Sequence, residues 1–499
     1  MAALDSPTRA RALAAEKGED AGWVEVVIEA PWSVVGPVAR ARAWTVHAAA
    51  PHGVQVSVPA ESLRLAGALV AGGGRVRAPW RASAKSIVSE GEARVFSEAA
   101  WAPAGTDGAG VTVGVLDVGF GGVEDREDEL PGGWTLDVSR APGASRHGTA
   151  VAEVIADLAP GAALALVTFV TDVEFVDALG SLVDARVDVV NASIGFDNVW
   201  HADGTSPMSV AVDAAVDAGV AYVAAAGNEA DKYRIGPLSW VDDGEAVALD
   251  GVDGVPVDLA GGWVDVSLRW SEPFGEARED LDLYVIGADG VACGSSTDWQ
   301  DGEGRPYERV AAGDCVAPAT AHVRAPDRRA QLEGLRAWLY SPYGLELGAD
   351  TDGTLTLPAD AARAISVGAI DVVSGEAPVW ASRGPTDDGR LKPDLVAASG
   401  VSTVTLGASA FLGSSAAAPH VAGAAALVID AARRRRHPED ATAVLVTGAA
   451  DLGVPGPDVQ FGWGEARLGA PPDPGCGCAG VRAPSAAALL LAMLLLRRR

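Results

Sequence analysis

The chain has 499 residues, which at roughly 150 residues per domain suggests about three modules and excludes a single small binding motif. Hydrophobic residues make up 48% and charged residues 21%, close to ordinary globular usage, so wholesale disorder is excluded. The formal net charge of −29 repels nucleic-acid phosphates and anionic lipid headgroups, and we therefore expect no nucleic-acid partner.

The N-terminal part of the chain predicts a small α+β domain. Residues 1–21 form a polar lead-in without an apolar run, so as written they do not form a secretory signal. Trp23–Ala30 and Val54–Val58 alternate between apolar and polar residues like strands, and the segment between them, rich in Ala, Val and Arg, predicts a helix. The predicted domain spans residues 22–85.

A repeated alternation of strands and helices begins at about residue 86. Val111–Asp117 is a nearly continuous apolar run, typical of a strand buried on both faces of a parallel sheet. Further strands and helices are predicted, in chain order, at Ala150–Leu158, Ala163–Val170, Val187–Ser193, Met208–Ala218, Val220–Ala226, Ala364–Ile370 and Pro419–Arg436. These units predict an α/β fold with a doubly wound, mostly parallel sheet, built from residues 86–236 and 358–470.

The segment between these two pieces, residues 237–357, predicts an inserted β-sandwich. Its short strands, such as Trp263–Trp270 and Asp280–Gly287, are separated by Asp/Gly turns. Asp280 and Asp282 alternate with leucines, so both carboxylates point to one face, which permits structural calcium; a solvated strand face is the alternative.

Four polar residues stand at the ends of predicted elements. Asp117 ends the first core strand, His147 directly precedes a helix, and Ser415 lies among small residues where the helix with Pro419 begins. Each alone is explained by a turn, a cap or close packing. Their order along the chain, Asp then His then Ser, is one of three known orders of the hydrolytic triad. Asn228 follows another core strand and could donate to a developing oxyanion.

Five segments, in this order, resemble the successive signatures of subtilisin-like serine proteases: VLDVGF, RHGTAVAEV, AAAGN, SRGPTDDGRLKPDL and GSSAAAPHVAG. The resemblance covers roughly residues 86–468. It implies that Ser415 is the nucleophile, His147 the general base and acid, and Asp117 the group that orients the imidazole. It also implies that Asn228 donates to the oxyanion beside the backbone N–H of Ser415. This chemistry requires no cofactor.

A sixth segment resembles the family strand that pairs with the substrate backbone, and an ordinary core strand is the alternative. Its residues are Asn191, Ala192, Ser193, Ile194 and Gly195. Pairing by strand addition favours extended protein or peptide segments as substrates. The chain departs from the family pattern at Val118, Ser414 and Ala416, and none of these departures removes a reacting group.

Two accessory regions carry looser resemblances. Trp23–Val76 is similar to the propeptides of this family, which implies a zymogen; a mere packing module is the alternative. The insert resembles prepeptidase-type β-sandwich domains of secreted proteases. If the protein is exported, Cys293 and Cys315 are expected to form a disulfide, with buried free thiols as the alternative.

Residues 471–499 form a linker and an apolar tail that ends in three arginines, and this tail resembles myxosortase-type C-terminal sorting tails. The resemblance implies cleavage or lipid attachment at Cys476 or Cys478 and retention at the outer cell surface. Membrane contact is expected only through this tail, although residues 1–21 contain no export signal.

The leading hypothesis is a monomeric, secreted or surface-anchored serine endopeptidase that is made as a zymogen and acts through an acyl-enzyme. The alternative is a surface binding or adhesion protein that uses the β insert on an inactive peptidase scaffold.

Overall fold

The computed structural model describes most of the chain. The described ranges are 22–70, 74–80, 83–84, 106–126, 133–140, 143–241, 244–327, 330–345, 351–435 and 440–468, with short pieces at 3–5, 8–9, 11–12, 15 and 129–131. The lead-in is therefore covered only in part, and the tail with Cys476 and Cys478 lies outside the described residues.

The N-terminal domain is a four-stranded antiparallel sheet with two helices. The strands lie in the order β2, β3, β1, β4, with bounds β1 Trp23–Ile28, β2 Thr45–Ala50, β3 Gly53–Pro59 and β4 Val76–Arg77. The helices are α1 (Trp32–Ala41) and α2 (Leu63–Gly67). Strand β2 corrects the sequence interpretation, which placed only a helix between β1 and β3. Its sequence TVHAAA has no clear alternation, and pairing with β3 makes it a strand.

The central sheet has seven parallel strands in the order β22, β21, β11, β9, β6, β8, β7. Their bounds are β6 Thr112–Asp117, β7 Thr135–Asp137, β8 Ala163–Thr168, β9 Val189–Ala192, β11 Ala221–Ala225, β21 Ile365–Asp371 and β22 Leu395–Ser399. Two short pairs stand apart from this sheet, namely β5 (Ser83–Ala84) with β10 (Ile194–Gly195) and β23 (Val401–Thr403) with β24 (Gly407–Phe411). The prediction of a mostly parallel α/β sheet is confirmed.

Helices cover both faces of this sheet. Their bounds are α3 His147–Leu158, α4 Asp172–Asp184, α5 Pro207–Asp217, α6 Ser414–Arg435 and α7 Ala441–Gly448. Val113 and Val115 of β6 pack in one core cluster with α3 and α6, whereas Leu116 packs in a second cluster with α4 and α5. Burial on both faces explains the continuous apolar strands. Helix α4 was not predicted, although Thr171 and Glu174 form a complete capping box at its start.

Helix α6 begins at Ser414, which corrects the predicted start at Pro419. Pro419 therefore lies inside the helix, where its missing N–H leaves the carbonyl of Ser415 without its helical donor. The Ser193 hydroxyl donates to that carbonyl instead, at 3.0 Å. The apolar surface of α6 belongs to the core, since 94% of its most apolar window is buried inside the protein.

The insert is an antiparallel sheet folded around its own apolar core, as predicted for a β-sandwich. Its strands are β12 Tyr233–Trp240, β13 Ala246–Leu249, β14 Val255–Val257, β15 Val264–Trp270, β16 Asp282–Ile286, β17 Ala292–Ser296, β18 Tyr307–Ala312, β19 Ala319–Arg324 and β20 Arg336–Tyr340. The sulfurs of Cys293 and Cys315 are bonded within this domain.

Both predicted boundaries of the insert are corrected. Strand β12 begins at Tyr233, ahead of the predicted boundary at residue 237. At the other end, Leu357 packs in the catalytic core and exchanges backbone hydrogen bonds of 2.9 and 3.1 Å with Phe196. The sequence boundary was late because residues 351–357 have loop-like composition and join the catalytic domain only through these long-range contacts.

His420 provides a test of the packing of α6. It is 1% exposed, its Nδ1–H donates to the carbonyl of Ala416 at 2.7 Å, and burial lowers its pKa to about 4 from 6.5. The unfolded chain therefore binds the proton first, and stability is lost as the pH falls from 6.5 toward 4, by about 3 kcal/mol at about 1.4 kcal/mol per pKa unit.

We expect His420→Gln to remove this part of the acid sensitivity, as measured by denaturant unfolding at pH 7 and pH 4. His47→Gln, a change at an exposed histidine, should behave like the wild type. An equal loss of stability in the wild type and in His420→Gln would contradict the assignment.

Candidate active site

The site begins with a buried hydrogen bond between Asp117 and His147. Asp117 ends β6, His147 is the first residue of α3, and Nδ1 lies 2.7 Å from Oδ2 of the carboxylate. Because a carboxylate only accepts, Nδ1 carries a hydrogen, and in the neutral imidazole Nε2 is then the nitrogen with the free lone pair. Gly148 permits this approach, since a Cβ there would lie 2.7 Å from the Asp117 Cβ. The backbone N–H of Val118 donates to the second carboxylate oxygen at 2.8 Å.

The rest of the imidazole of His147 is enclosed by protein, and its Nε2 is unpaired among the described residues. The ring of Phe411 meets that of His147 edge to face, with centroids 5.3 Å apart and an interplanar angle of 84°. His147 Nε2 is buried and has no hydrogen-bond partner among the residues that the structure describes. In the neutral imidazole, Nε2 is therefore the atom of this site that could accept a proton.

Ser415 lies in the first turn of α6 and is fully buried. Its hydroxyl donates to the carbonyl oxygen of Ser193 at 2.9 Å rather than to His147. The position of Oγ is set by rotation about the Cα–Cβ bond, and catalytic hydrogen bonds often form only when substrate is bound. The backbone N–H of Ser415 belongs to the first turn, where N–H groups have no acceptor within the helix.

Asn228 is oriented by the residue before Ser415. Its Oδ1 accepts the backbone N–H of Ser414 at 2.8 Å and the Ser414 hydroxyl at 3.1 Å. The same hydroxyl accepts the N–H of Gly227 at 3.0 Å. Oδ1 is thereby occupied, and the buried Nδ2 has no partner within the described ranges. Sequence reasoning noted Ser414 only as a departure and missed this positioning role.

The predicted substrate strand runs beside the nucleophile. Asn191 and Ala192 end β9, the Asn191 side-chain amide donates to the Ser193 hydroxyl at 2.9 Å, and Ile194 and Gly195 form β10. Strand β5 pairs with β10 in antiparallel register, Ala84 opposite Ile194 and Ser83 opposite Gly195. The last strand of the N-terminal region, β5, thus occupies the edge expected to bind substrate.

Thr356 is a site residue that sequence reasoning missed. A Cβ on Gly195 would overlap its side chain, and a Cβ on Gly227, where φ is +115°, would lie 3.3 Å from its Cβ. Its hydroxyl is buried without a partner in the described part of the chain. Thr356 therefore fills the space between the substrate strand and the Asn228 loop, and no local motif marks it.

The residues considered for calcium lie in the insert. Asp280 accepts the N–H of Gln300 at 3.1 Å and Asp282 accepts the Tyr284 hydroxyl at 3.3 Å. Both aspartates are buried, which excludes the solvated-face alternative, and burial with a smaller contribution from Asp280 raises the pKa of Asp282 to about 6. No group of three or more His, Cys, Asp or Glu among the described residues is placed to hold a metal. Structural calcium stays a prediction.

A family model and several solved structures match this chain. The model of the subtilase family matches residues 108–248 and 343–464, more than half of the chain. Two solved structures share the fold at low sequence identity. The CspB protease of Clostridium perfringens has a TM-score of 0.55 and 17% identity, over 75% of this chain and 94% of that one.

The second structure is a variant of the epidermin leader peptide processing serine protease, EpiP, from Staphylococcus aureus. It has a TM-score of 0.52 and 14% identity, over 89% of this chain and 98% of that one. With the family match spanning both halves of the catalytic domain, this chain belongs to the subtilase family and is a subtilisin-like serine peptidase.

Proposed function

We propose that this protein is an endopeptidase that cleaves extended protein segments through an acyl-enzyme on Ser415. The observation that carries the proposal is the bond from His147 Nδ1–H to Asp117, because it leaves Nε2 as a buried base. The parallel sheet supports it by bringing β6, the Asn228 loop and the start of α6 to one edge.

The chemistry follows from these positions. Ser415 Oγ attacks the substrate carbonyl carbon while its proton passes to His147 Nε2, and Asp117 stabilises the imidazolium. Asn228 Nδ2–H and the Ser415 backbone N–H donate to the oxyanion. His147 then protonates the leaving amine as the C–N bond breaks, which leaves an ester on Ser415. A water molecule, deprotonated by His147, hydrolyses the ester and returns the hydroxyl.

The N-terminal domain is proposed to inhibit this site in a zymogen. The pairing of β5 with β10 supports inhibition, because a substrate backbone would need the same strand edge. The bond between Cys293 and Cys315 supports export, since disulfides persist in oxidising compartments. Attachment to the outer cell surface through residues 471–499 and a monomeric state stay predictions.

The nucleophile is tested by covalent labelling. We expect a fluorophosphonate probe to label the wild type, before or after incubation for maturation, and not Ser415→Ala, because the probe reacts only with an activated hydroxyl. Ser209→Ala, which removes another fully buried serine hydroxyl bonded to Asp360, should still be labelled. Labelling that persists in Ser415→Ala would refute the assignment. A folded wild type that is never labelled would favour the binding-protein alternative.

The role of Ser414 is tested by kinetics. Ser414→Ala removes the hydroxyl that links Gly227 to Asn228, and we expect kcat to fall roughly fivefold, or about 1 kcal/mol, with little change in KM. Ser414→Thr keeps the hydroxyl and should restore most of the rate. A low kcat in Ser414→Ala together with a nearly wild-type kcat in Ser414→Thr would support the positioning role of the hydroxyl. Equal kcat values in both variants and the wild type would contradict it.

Self-cleavage is tested by mass spectrometry. Ser83 lies opposite Gly195 and Ala84 opposite Ile194, so the direction of β5 leads toward Ser193. The Ser193 carbonyl accepts the Ser415 hydroxyl, and we therefore expect the first cut shortly after Ala84. The cut should appear in the wild type and not in Ser415→Ala, at a rate independent of protein concentration. A rate that rises with concentration, or a first cut elsewhere, would contradict cleavage within one chain.

A further inference from the structure

We propose that the inserted β-sandwich holds the N-terminal domain on the catalytic domain, so that the inhibitory segment leaves the site only when contacts to both regions break. The inference rests on the proposed inhibitory role of the N-terminal domain. It assigns a function to the insert, namely binding of this chain's own N-terminal domain.

The contact between the N-terminal and catalytic domains centres on a buried charge pair. The Arg77 guanidinium contacts Asp172, the first residue of α4, through Nη2–Oδ2 and through Nη1–Oδ1 at 3.3 Å. The side chains are 2% and 0% exposed. Burial alone would raise the pKa of Asp172, and Arg77 with His52 instead holds it well below its usual range. The backbone of Trp80 donates to Asp172 Oδ1 at 3.2 Å and accepts its N–H at 3.1 Å.

The same arginine is linked to the insert through Glu29. Arg77 Nε donates to Glu29 Oε1 at 2.8 Å, and Arg305 Nη2, from the loop before β18, contacts the same oxygen. Both guanidinium groups also lie near the ring of Trp80, whose centroid is 3.6 Å from the Arg77 Cζ and 5.5 Å from that of Arg305. Asp172, Arg77, Glu29 and Arg305 thus form one line of alternating charge across all three regions, which we call the junction.

The insert touches the N-terminal domain at a second, weaker place. Arg75 Nη2 of the N-terminal domain donates to the carbonyl of Trp299 at 3.5 Å, and Arg9 Nη2 of the lead-in lies 3.4 Å from Asp298 Oδ1. Partly exposed pairs of this kind contribute little alone. They form a second contact between the insert and the N-terminal region, close to the junction.

The contact with the insert is polar, in contrast to the packing against α4. Val27 and Ala48 of the N-terminal domain share an apolar cluster with Val173 of α4, and within the described ranges no apolar cluster joins this domain to the insert. A cavity of about 270 Å³ separates the two surfaces around the junction. Polar, incompletely packed interfaces are typical of domains that can separate.

Arg77 and Glu29 connect the two interfaces of the N-terminal domain. Arg77 contacts Asp172 of the catalytic domain, Glu29 contacts Arg305 of the insert, and the two residues bind each other. Loss of Arg305 would leave the largely shielded Glu29 carboxylate with Arg77 as its cationic partner and would remove the charged contact of the insert with the N-terminal domain. While the domain is held, β5 stays on β10 and the substrate edge is occupied. The sandwich therefore acts as a clamp that lowers the rate of release.

The test is hydrogen exchange on the full chain carrying Ser415→Ala, which keeps the chain uncut. The reporter is the N–H of Asp172, which donates to the Trp80 carbonyl and exchanges only when the domain lifts from α4. We expect Arg305→Met to speed exchange of peptides containing Asp172 at least tenfold. Arg324→Met, which removes an arginine paired with Asp253 inside the insert, should leave it unchanged.

Two further variants keep the result interpretable. Glu29→Gln leaves the insert sequence intact and should speed the same exchange. Adding Arg305→Met to Glu29→Gln should have little further effect, because the ion pair between Glu29 and Arg305 is already broken in Glu29→Gln. Peptides from β15 and β20 report whether the insert remains folded. Unchanged Asp172 exchange in Glu29→Gln, or in Arg305→Met with protected β15 and β20, would overturn the proposal.

A rate measurement links the clamp to the proposed function. In the chain with Ser415 intact, Arg305→Met should raise the initial rate of fluorophosphonate labelling, because the substrate edge is free more often. Failure of all labelling would refute the peptidase mechanism and leave the exchange result to decide the clamp. Faster Asp172 exchange with no change in labelling rate would show that the clamp does not control access and would overturn that part.

Discussion

The hydrogen bond between Asp117 and His147 is the interaction on which the chemistry of this protein depends. Both side chains are buried, so the imidazole is held in one tautomer with Nε2 directed away from the carboxylate. The ring of Phe411 packs edge to face against His147 and covers the imidazole on one side. Every other element of the site is placed relative to this pair.

The fold supplies that placement through parallel strands. Asp117 and the Ser193 segment follow adjacent strands β6 and β9, Asn228 follows β11, and the carboxyl ends of parallel strands share one edge. Helix α6 returns to the same edge, where Pro419 leaves the Ser415 carbonyl free for the Ser193 hydroxyl. A helix-breaking residue inside α6 thus ties the nucleophile to the substrate strand.

The accessory domains converge on the same region from the outside. The N-terminal domain covers the start of α4 and sends β5 along β10, and the insert reaches the same domain through Arg305. Access to the substrate edge and retention of the N-terminal domain are therefore linked by the charges of the junction. Arg77 and Asp172 are buried, and Glu29 and Arg305 are largely shielded from water. Removal of one charge therefore leaves its neighbour with fewer opposite charges, so the contact is sensitive to single substitutions.

The fold class could be predicted from the amino-acid sequence, and so could the candidate site residues Asp117, His147, Asn228 and Ser415, because each lies in a local motif at the end of an element and the motifs occur in a known order. The start of α6 was misplaced because Pro419 looks like a first-turn residue, and β2 was missed because its strand character comes from β3. The residues that support the site became apparent only from the packing of the folded chain.

Ser414, Thr356 and Arg305 act on residues far away in the chain, and no local pattern encodes those contacts. Periodicity records which face of an element is buried, whereas pairing between distant side chains depends on how the packed layers and the two added domains meet.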